Sequence, residues 1–144
     1  ESMIQIYTDG ACSGNPGTGG WGVVILYDKD KPILLNGGEE NTTNNRMELL
    51  AAINAVVYFT ERQNLEIFTD SKYLKDGIEI WIHNWKKNNW KTSNKKPVKN
   101  KDLWIKLDKE IALHQIKWNW VKGHSNNEFN EKADFLARKY IEEN

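Results

Sequence analysis

At 144 residues the chain has the length of one domain, and a composition of 39% hydrophobic and 28% charged residues with three prolines excludes a collagen-like fibre and argues against disorder. No apolar run approaches the roughly 20 residues that cross a bilayer, and the amino terminus lacks a basic-then-apolar leader, so a protein neither membrane-spanning nor exported is expected. Cys12 is the sole cysteine, which precludes an internal disulfide and fits a reducing cytoplasm. Glu1 and Ser2 read as a vector-derived remnant ahead of Met3, leaving a single domain expected over 3–144. The formal net charge is zero, yet eight lysines stand between Lys86 and Lys106 against one acid, Asp102. That local excess suits a region that meets a polyanion, with the remaining acids left for metal; a solvated charged loop is the plainer reading of the same lysines.

In chain order, Met3 to Asp9 alternates with the period of two of a strand and runs into a turn-rich stretch, Gly10 to Gly17, that reverses the chain. Trp21 to Tyr27 and Ile33 to Leu35 follow as strands at hairpin spacing, with Asp28 to Pro32 as their turn. From Thr43 the spacing becomes helical through Leu49, Ala52, Ile53 and Val56, with Thr42 or Thr43 as the cap. Leu65 to Asp70 alternates again as a strand, and Ser71 opens a short helix to Lys75. Helices are predicted over Ile78 to Lys87 and, capped by Asn100, over Asp102 to His114, with a Lys/Asn-rich loop between them. Ile116 to Val121 forms the last strand, and a final helix with Asn130 as cap carries the stripe Ala133, Leu136, Ala137 and Tyr140. The predicted fold is α/β: a mixed five-stranded sheet, three strands antiparallel and then two parallel, flanked by helices.

The strand ends Ile6-Tyr7-Thr8-Asp9 and Ile67-Phe68-Thr69-Asp70 echo each other. A helical crossover between them would lay the two strands parallel, with Asp9 and Asp70 side by side where open sheets bind ligands. Glu48 lies on that crossover helix, on a stripe with Asn44, Asn45, Ala52 and Ala55, and Asp134 borders the apolar stripe of the last helix. Four acids brought together need a cation or protons, and hard oxygen ligands without a neighbouring thiolate favour magnesium or manganese over zinc. Two such ions about 3.5–4 Å apart can activate water and stabilise the leaving oxygen of a phosphodiester. Each acid taken singly is an ordinary surface charge; the pattern gains its force from all four together.

Four motifs stand in a known order: Thr8-Asp9-Gly10 with Gly14-Asn15-Pro16-Gly17-Thr18-Gly19-Gly20; Thr43-Asn44-Asn45-Arg46-Met47-Glu48-Leu49; Thr69-Asp70-Ser71; and Gly123-His124 with Asn130-Glu131 and Asp134. Over Gln5 to Tyr140 the chain resembles the type 1 ribonucleases H, and Trp81 to Lys87, Lys95 to Asn100 and Asp102-Leu103-Trp104 resemble the basic protrusion of the bacterial members. The resemblance implies the ribonuclease H-like three-layer fold and an endonuclease that cuts the RNA strand of RNA/DNA hybrids, leaving 5′-phosphate and 3′-hydroxyl ends. It further implies removal of RNA primers and hybrids in DNA replication and repair, by a monomer using two Mg2+ ions for which Mn2+ substitutes. Asp9, Glu48, Asp70 and Asp134 become the catalytic metal ligands, and His124 a catalytic residue in proton transfer or product release. Asn15, Asn44 and Asn45 become candidates for the RNA strand's 2′-hydroxyls, although Asn15 equally suits the turn it sits in. Thr43 and Asn100 become a DNA-phosphate pocket, and Trp81, Trp85 and Trp104 with Lys86 and Lys87 a DNA-strand surface. Trp90 is a further candidate for that surface, and about half of the four tryptophans are expected to serve core packing instead. Where relatives often carry an arginine before that pocket, this chain has Asn41. Two alternatives stay open: a nuclease of the same fold acting on DNA, and a hybrid-binding module without catalysis.

Overall fold

A computed structural model of the chain describes residues 3–27, 31–122 and 127–144. Three strands, β1 (Ile4–Ser13), β2 (Gly17–Leu26) and β3 (Ile33–Thr42), form an antiparallel meander. Helix α1 (Asn44–Val57) then crosses to β4 (Asn64–Thr69), which pairs parallel with β1, and β5 (Gln115–Trp120) pairs parallel with β4. The sheet order is β3-β2-β1-β4-β5. Between β4 and β5 run α2 (Lys72–Asp76), a π-helical turn (Gly77–Trp81), α3 (Ile82–Lys87) and α4 (Lys101–Ile111), and α5 (Glu128–Glu143) closes the chain.

Alternation along the strands divides the core between the two faces of the sheet. Ile6, Val23, Ile25, Leu65 and Ile67 pack with Leu49, Ile53 and Val56 of α1 and with Leu103, Trp104 and Leu107 of α4. On the opposite face Tyr7 and Val24 meet Ala133 and Leu136 of α5, and the Tyr7 ring stacks on Phe68 at 4.5 Å. Each fully buried aliphatic side chain contributes roughly 1.5–3 kcal/mol, so both helical layers are held by the sheet's own periodicity. The predicted class, a mixed five-stranded sheet between helices, is what the chain adopts.

Several boundaries differ from expectation, each for a local reason. β1 runs on through Gly10 to Ser13 and β2 begins at Gly17, because Gly10, Ala11 and Cys12 pair with Trp21, Gly20 and Gly19; the reversal is confined to Gly14, Asn15 and Pro16. β3 extends to Thr42, its polar Asn36–Asn41 stretch being tolerated on an edge strand. Thr43 is the cap of α1, its Oγ1 accepting from the Arg46 N–H at 3.3 Å. The helix expected over Ile78–Lys87 opens with the π-helical turn. Asn100 precedes α4 but its side chain does not cap it, and α4 ends at Ile111, before the buried His114. Asn127, not Asn130, caps α5: its Oδ1 accepts from the N–H groups of Phe129 and Asn130.

Candidate active site

The echoed strand ends pair in register, Ile6 with Ile67 and Tyr7 with Phe68. Asp9 and Asp70 therefore leave adjacent parallel strands at the same level, as the crossover argument requires. Glu48 approaches from α1 on one face. The approach depends on Gly10: a Cβ there would lie 2.6 Å from the Glu48 backbone nitrogen and 2.7 Å from the Met47 carbonyl carbon, so only a bare backbone lets α1 come down beside Asp9. One carboxylate oxygen from each of Asp9, Glu48 and Asp70 falls within 4.8 Å of the others.

Asp134 arrives from the other face by a parallel device. Gly22 is the partner of Asp9 across the β1–β2 ladder, and a Cβ on it would strike the Ala133 carbonyl oxygen and lie 2.9 Å from Leu136 Cβ. Helix α5 thus rests directly on β2 at that point. Asp134, the residue after Ala133, comes close enough to Asp9 for its charge to raise the Asp9 carboxyl, while Arg138 one turn on pairs with Asp134 at 2.7 Å. Asp9, Asp70 and Asp134 line one small cleft together with Lys122, Asn130 and Glu131. Lys122 and Glu131 are not among the predicted site residues, although Glu131 falls in the Asn130-Glu131 motif and Lys122 directly precedes Gly123-His124.

Electrostatics sets the character of the cluster. Burial first, then the charges of Asp70 and Asp134, push the Asp9 carboxyl up from 3.8 to about 8. Glu48 is 5% exposed and is raised well above its ordinary value by burial and then by Asp9 and Asp70. Its Oε1 is buried with no hydrogen-bond partner. An unpartnered buried carboxylate oxygen facing two further carboxylates, with no soft ligand among them, fits a hard divalent cation: such an ion would satisfy the orphan oxygen and remove the repulsion together.

A family model described as RNase H matches residues 1–142. The chain belongs to the RNase H family. Among relatives, the ribonuclease H of Parvibaculum lavamentivorans strain DS-1 is 57% identical over 139 residues, 96% of this chain and 92% of its own length. That of Rhodopseudomonas palustris strain BisB5 is 58% identical over 136 residues, covering 94% of this chain and 89% of its own. Among solved structures, LC9-RNase H1, a type 1 RNase H with the type 2 active-site motif, superposes with a TM-score of 0.83 at 31% identity, over 95% of this chain and 71% of the other. The chain is accordingly a hydrolase of the RNase H family, whose metal dependence agrees with the acid cluster.

The other predicted residues of this RNase H fall into two groups. At the amino-terminal end of α1, Asn44 and Asn45 are exposed, and Asn15 Oδ1 accepts from the Asn44 N–H at 3.1 Å, fastening the β1–β2 turn to the helix that carries Glu48. Trp81 and Trp85 are half-buried with ring centroids 5.7 Å apart. Lys87 is exposed, whereas Lys86 Nζ lies 3.3 Å from an Asp108 oxygen. Trp104 is the exception: it is fully buried, its Nε1 donating to Tyr73 Oη at 2.9 Å, so it is a core residue and not a DNA-facing one. Its i, i+3 spacing with Leu107 turns it into the protein. His124 lies outside the described residues.

Proposed function

We propose that this chain is an endonuclease that hydrolyses the RNA strand of RNA/DNA hybrids, leaving 5′-phosphate and 3′-hydroxyl ends, with Mg2+ held by Asp9, Glu48, Asp70 and Asp134. The observation that carries the reading is the meeting of Asp9, Glu48 and Asp70 within 4.8 Å, from two strands and a helix, around a buried oxygen that has no partner. Two magnesium ions, for which manganese substitutes, would supply water activation and stabilisation of the leaving oxygen in an in-line displacement. The protein's part is to hold four carboxylates in place between two helical layers. Glu48, deepest of them, fixes the inner ligand position, while the exposed Asp70 and half-buried Asp134 stand nearer the substrate side. His124 passes protons or assists product release.

Asn15, Asn44 and Asn45 present amides to the RNA strand's 2′-hydroxyls at the end of α1, which also carries Glu48. Thr43 and Asn100 take a DNA phosphate, and Trp81, Trp85, Lys86 and Lys87 receive the DNA strand beyond it. One catalytic domain over 3–144, acting as a monomer in the cytoplasm on RNA primers and hybrids left by replication and repair, completes the proposal. No helix among the described residues is long and apolar enough to cross a membrane.

The test is cleavage of a labelled RNA/DNA hybrid beside RNA/RNA and DNA/DNA duplexes, with magnesium and with chelator. Loss of only the hybrid's RNA strand, and only with metal, is expected. Preferential cleavage of DNA duplex would assign the site to a different nuclease of the same fold.

A further inference from the structure

Arg46 stands in the first turn of α1, two residues before Glu48, and touches three separate parts of the molecule. Its Nε lies 3.1 Å from Glu39 Oε1 near the end of β3. Its Nη1 and Nη2 donate to Asp102 Oδ1 and Oδ2 at 3.0 and 2.7 Å, a forked pair with the start of α4. Nη1 also donates to Asn100 Oδ1 at 3.4 Å, and the backbone N–H donates to Thr43 Oγ1 at 3.3 Å. One residue is therefore bonded to both members of the DNA-phosphate pocket.

Those bonds determine which way the pocket's donors point. Arginine has only donors, so the Asn100 oxygen must face Arg46 and its amide nitrogen must turn away. That nitrogen donates one proton to Tyr73 Oη at 3.1 Å, leaving the second. Tyr73 Oη is itself fixed, since it also accepts from Trp104 Nε1 at 2.9 Å. Asn100 sits at φ 59, a left-handed conformation, so its direction is set by backbone and amide alike. Thr43 Oγ1 accepts from the backbone N–H of residue 46, whatever the side chain there, and its hydroxyl proton is left to donate. Without the guanidinium the Asn100 amide is free to reverse and offer an oxygen where a phosphate would come. With two carboxylates around it and a side chain 26% exposed, Arg46 is neutralised and withdrawn rather than offered to the substrate.

We infer that Arg46 is a positioning residue for the DNA strand: its guanidinium orients the Asn100 donor toward one phosphate, beside a Thr43 hydroxyl held by the helix backbone, and fixes that phosphate's place relative to the helix bearing Glu48. The inference rests on the proposed Thr43–Asn100 pocket. The test uses hybrids that each carry one neutral methylphosphonate along the DNA strand, with steady-state kinetics of the wild-type chain, Arg46→Gln and Asp102→Asn, magnesium binding by calorimetry and thermal unfolding. In the wild type, one position is expected to raise KM roughly three- to tenfold with kcat within about twofold. Arg46→Gln is expected to show a similar rise in KM on the unmodified hybrid, no further rise with the methylphosphonate at that position, and unchanged magnesium affinity. Asp102→Asn, which removes an exposed carboxylate, gives a smaller change in the same direction and serves if Arg46→Gln does not fold. A wild type indifferent to every methylphosphonate would remove the pocket itself. A wild type sensitive at one position, with both variants equally sensitive there, would overturn the role of Arg46 while leaving the pocket standing.

Discussion

Asp9 and Gly22 face each other across the β1–β2 ladder, and the missing side chain of Gly22 lets α5 rest on the sheet at the level of Asp9. The distance from Asp134 to Asp9 is thus set by a residue with no functional group. Gly22→Ala would push against the Ala133 carbonyl and Leu136 Cβ and lift α5. Overpacking of this kind costs about 1–3 kcal/mol, and displacement of a ligand by an ångström lowers turnover on the order of tenfold or more. Steady-state cleavage measured beside thermal unfolding checks this. A destabilised variant with unaltered turnover would show that the seating of α5 does not govern the site.

The raised carboxyls give the metal-free chain a defined pH response. Asp9 is held at about 8 against 3.8, and Glu48 is raised as well, so both bind protons more tightly folded than unfolded. Their contribution is complete below the unfolded value and is lost as pH rises through the folded one. The melting temperature in chelator is therefore expected to fall between about pH 6 and about pH 8, and magnesium should flatten the slope. Asp9→Asn should flatten it too, raise stability in chelator near neutrality by about 1–3 kcal/mol, and abolish cleavage. A metal-free melting temperature that climbs over this interval would contradict the arrangement.

Lys86 and Lys87 are neighbours with different expected effects. Both are exposed, but Lys86 is paired with Asp108. Lys87→Ala should raise KM for the hybrid and lower the slope of log KM against log salt by about one, with stability within about 0.5 kcal/mol. Lys86→Ala should change the salt slope less. Equal salt slopes for both variants would mean that the Asp108 pair does not persist in solution.

Lys95 adopts φ 63, a conformation that suits glycine. Lys95→Gly is expected to raise unfolding free energy by about 1 kcal/mol, measurable by denaturant titration at constant m-value. A loss of stability would show that the lysine side chain contributes more than its backbone strain removes.

Much of the architecture could be read from local pattern. The repeated Ile-x-Thr-Asp ending identified two strands that pair in register, and the helical spacing between them identified the crossover that carries Glu48. What could not be read depended on tertiary partners. Gly10 falls in a turn-rich stretch and Gly22 inside a strand, and neither position signals locally that its purpose is the close approach of the α1 or α5 backbone. Asn127 and Asn130 both suit a cap, and only the chain path into α5 chooses between them. Trp104 shares its residue type and charged surroundings with Trp81 and Trp85, but the Tyr73 hydroxyl beneath it and its place on α4 draw it inside. The forked Arg46–Asp102 pair joins residues far apart in the chain and had no local signature.

The lysine-rich segment contains a small hairpin: Thr92 and Lys95 donate to Lys96 and Thr92 carbonyls, Val98 donates to Trp90, and the buried Val98 side chain anchors it. Its positive charges consequently keep a fixed bearing from the acid cluster instead of being averaged over a mobile tail. A polyanion diffusing toward the molecule at low ionic strength would experience a torque as well as an attraction, and would arrive already turned toward the lysines. Ionic strength should then act chiefly on the rate of productive encounter, leaving the rate of bond cleavage within the assembled complex nearly constant.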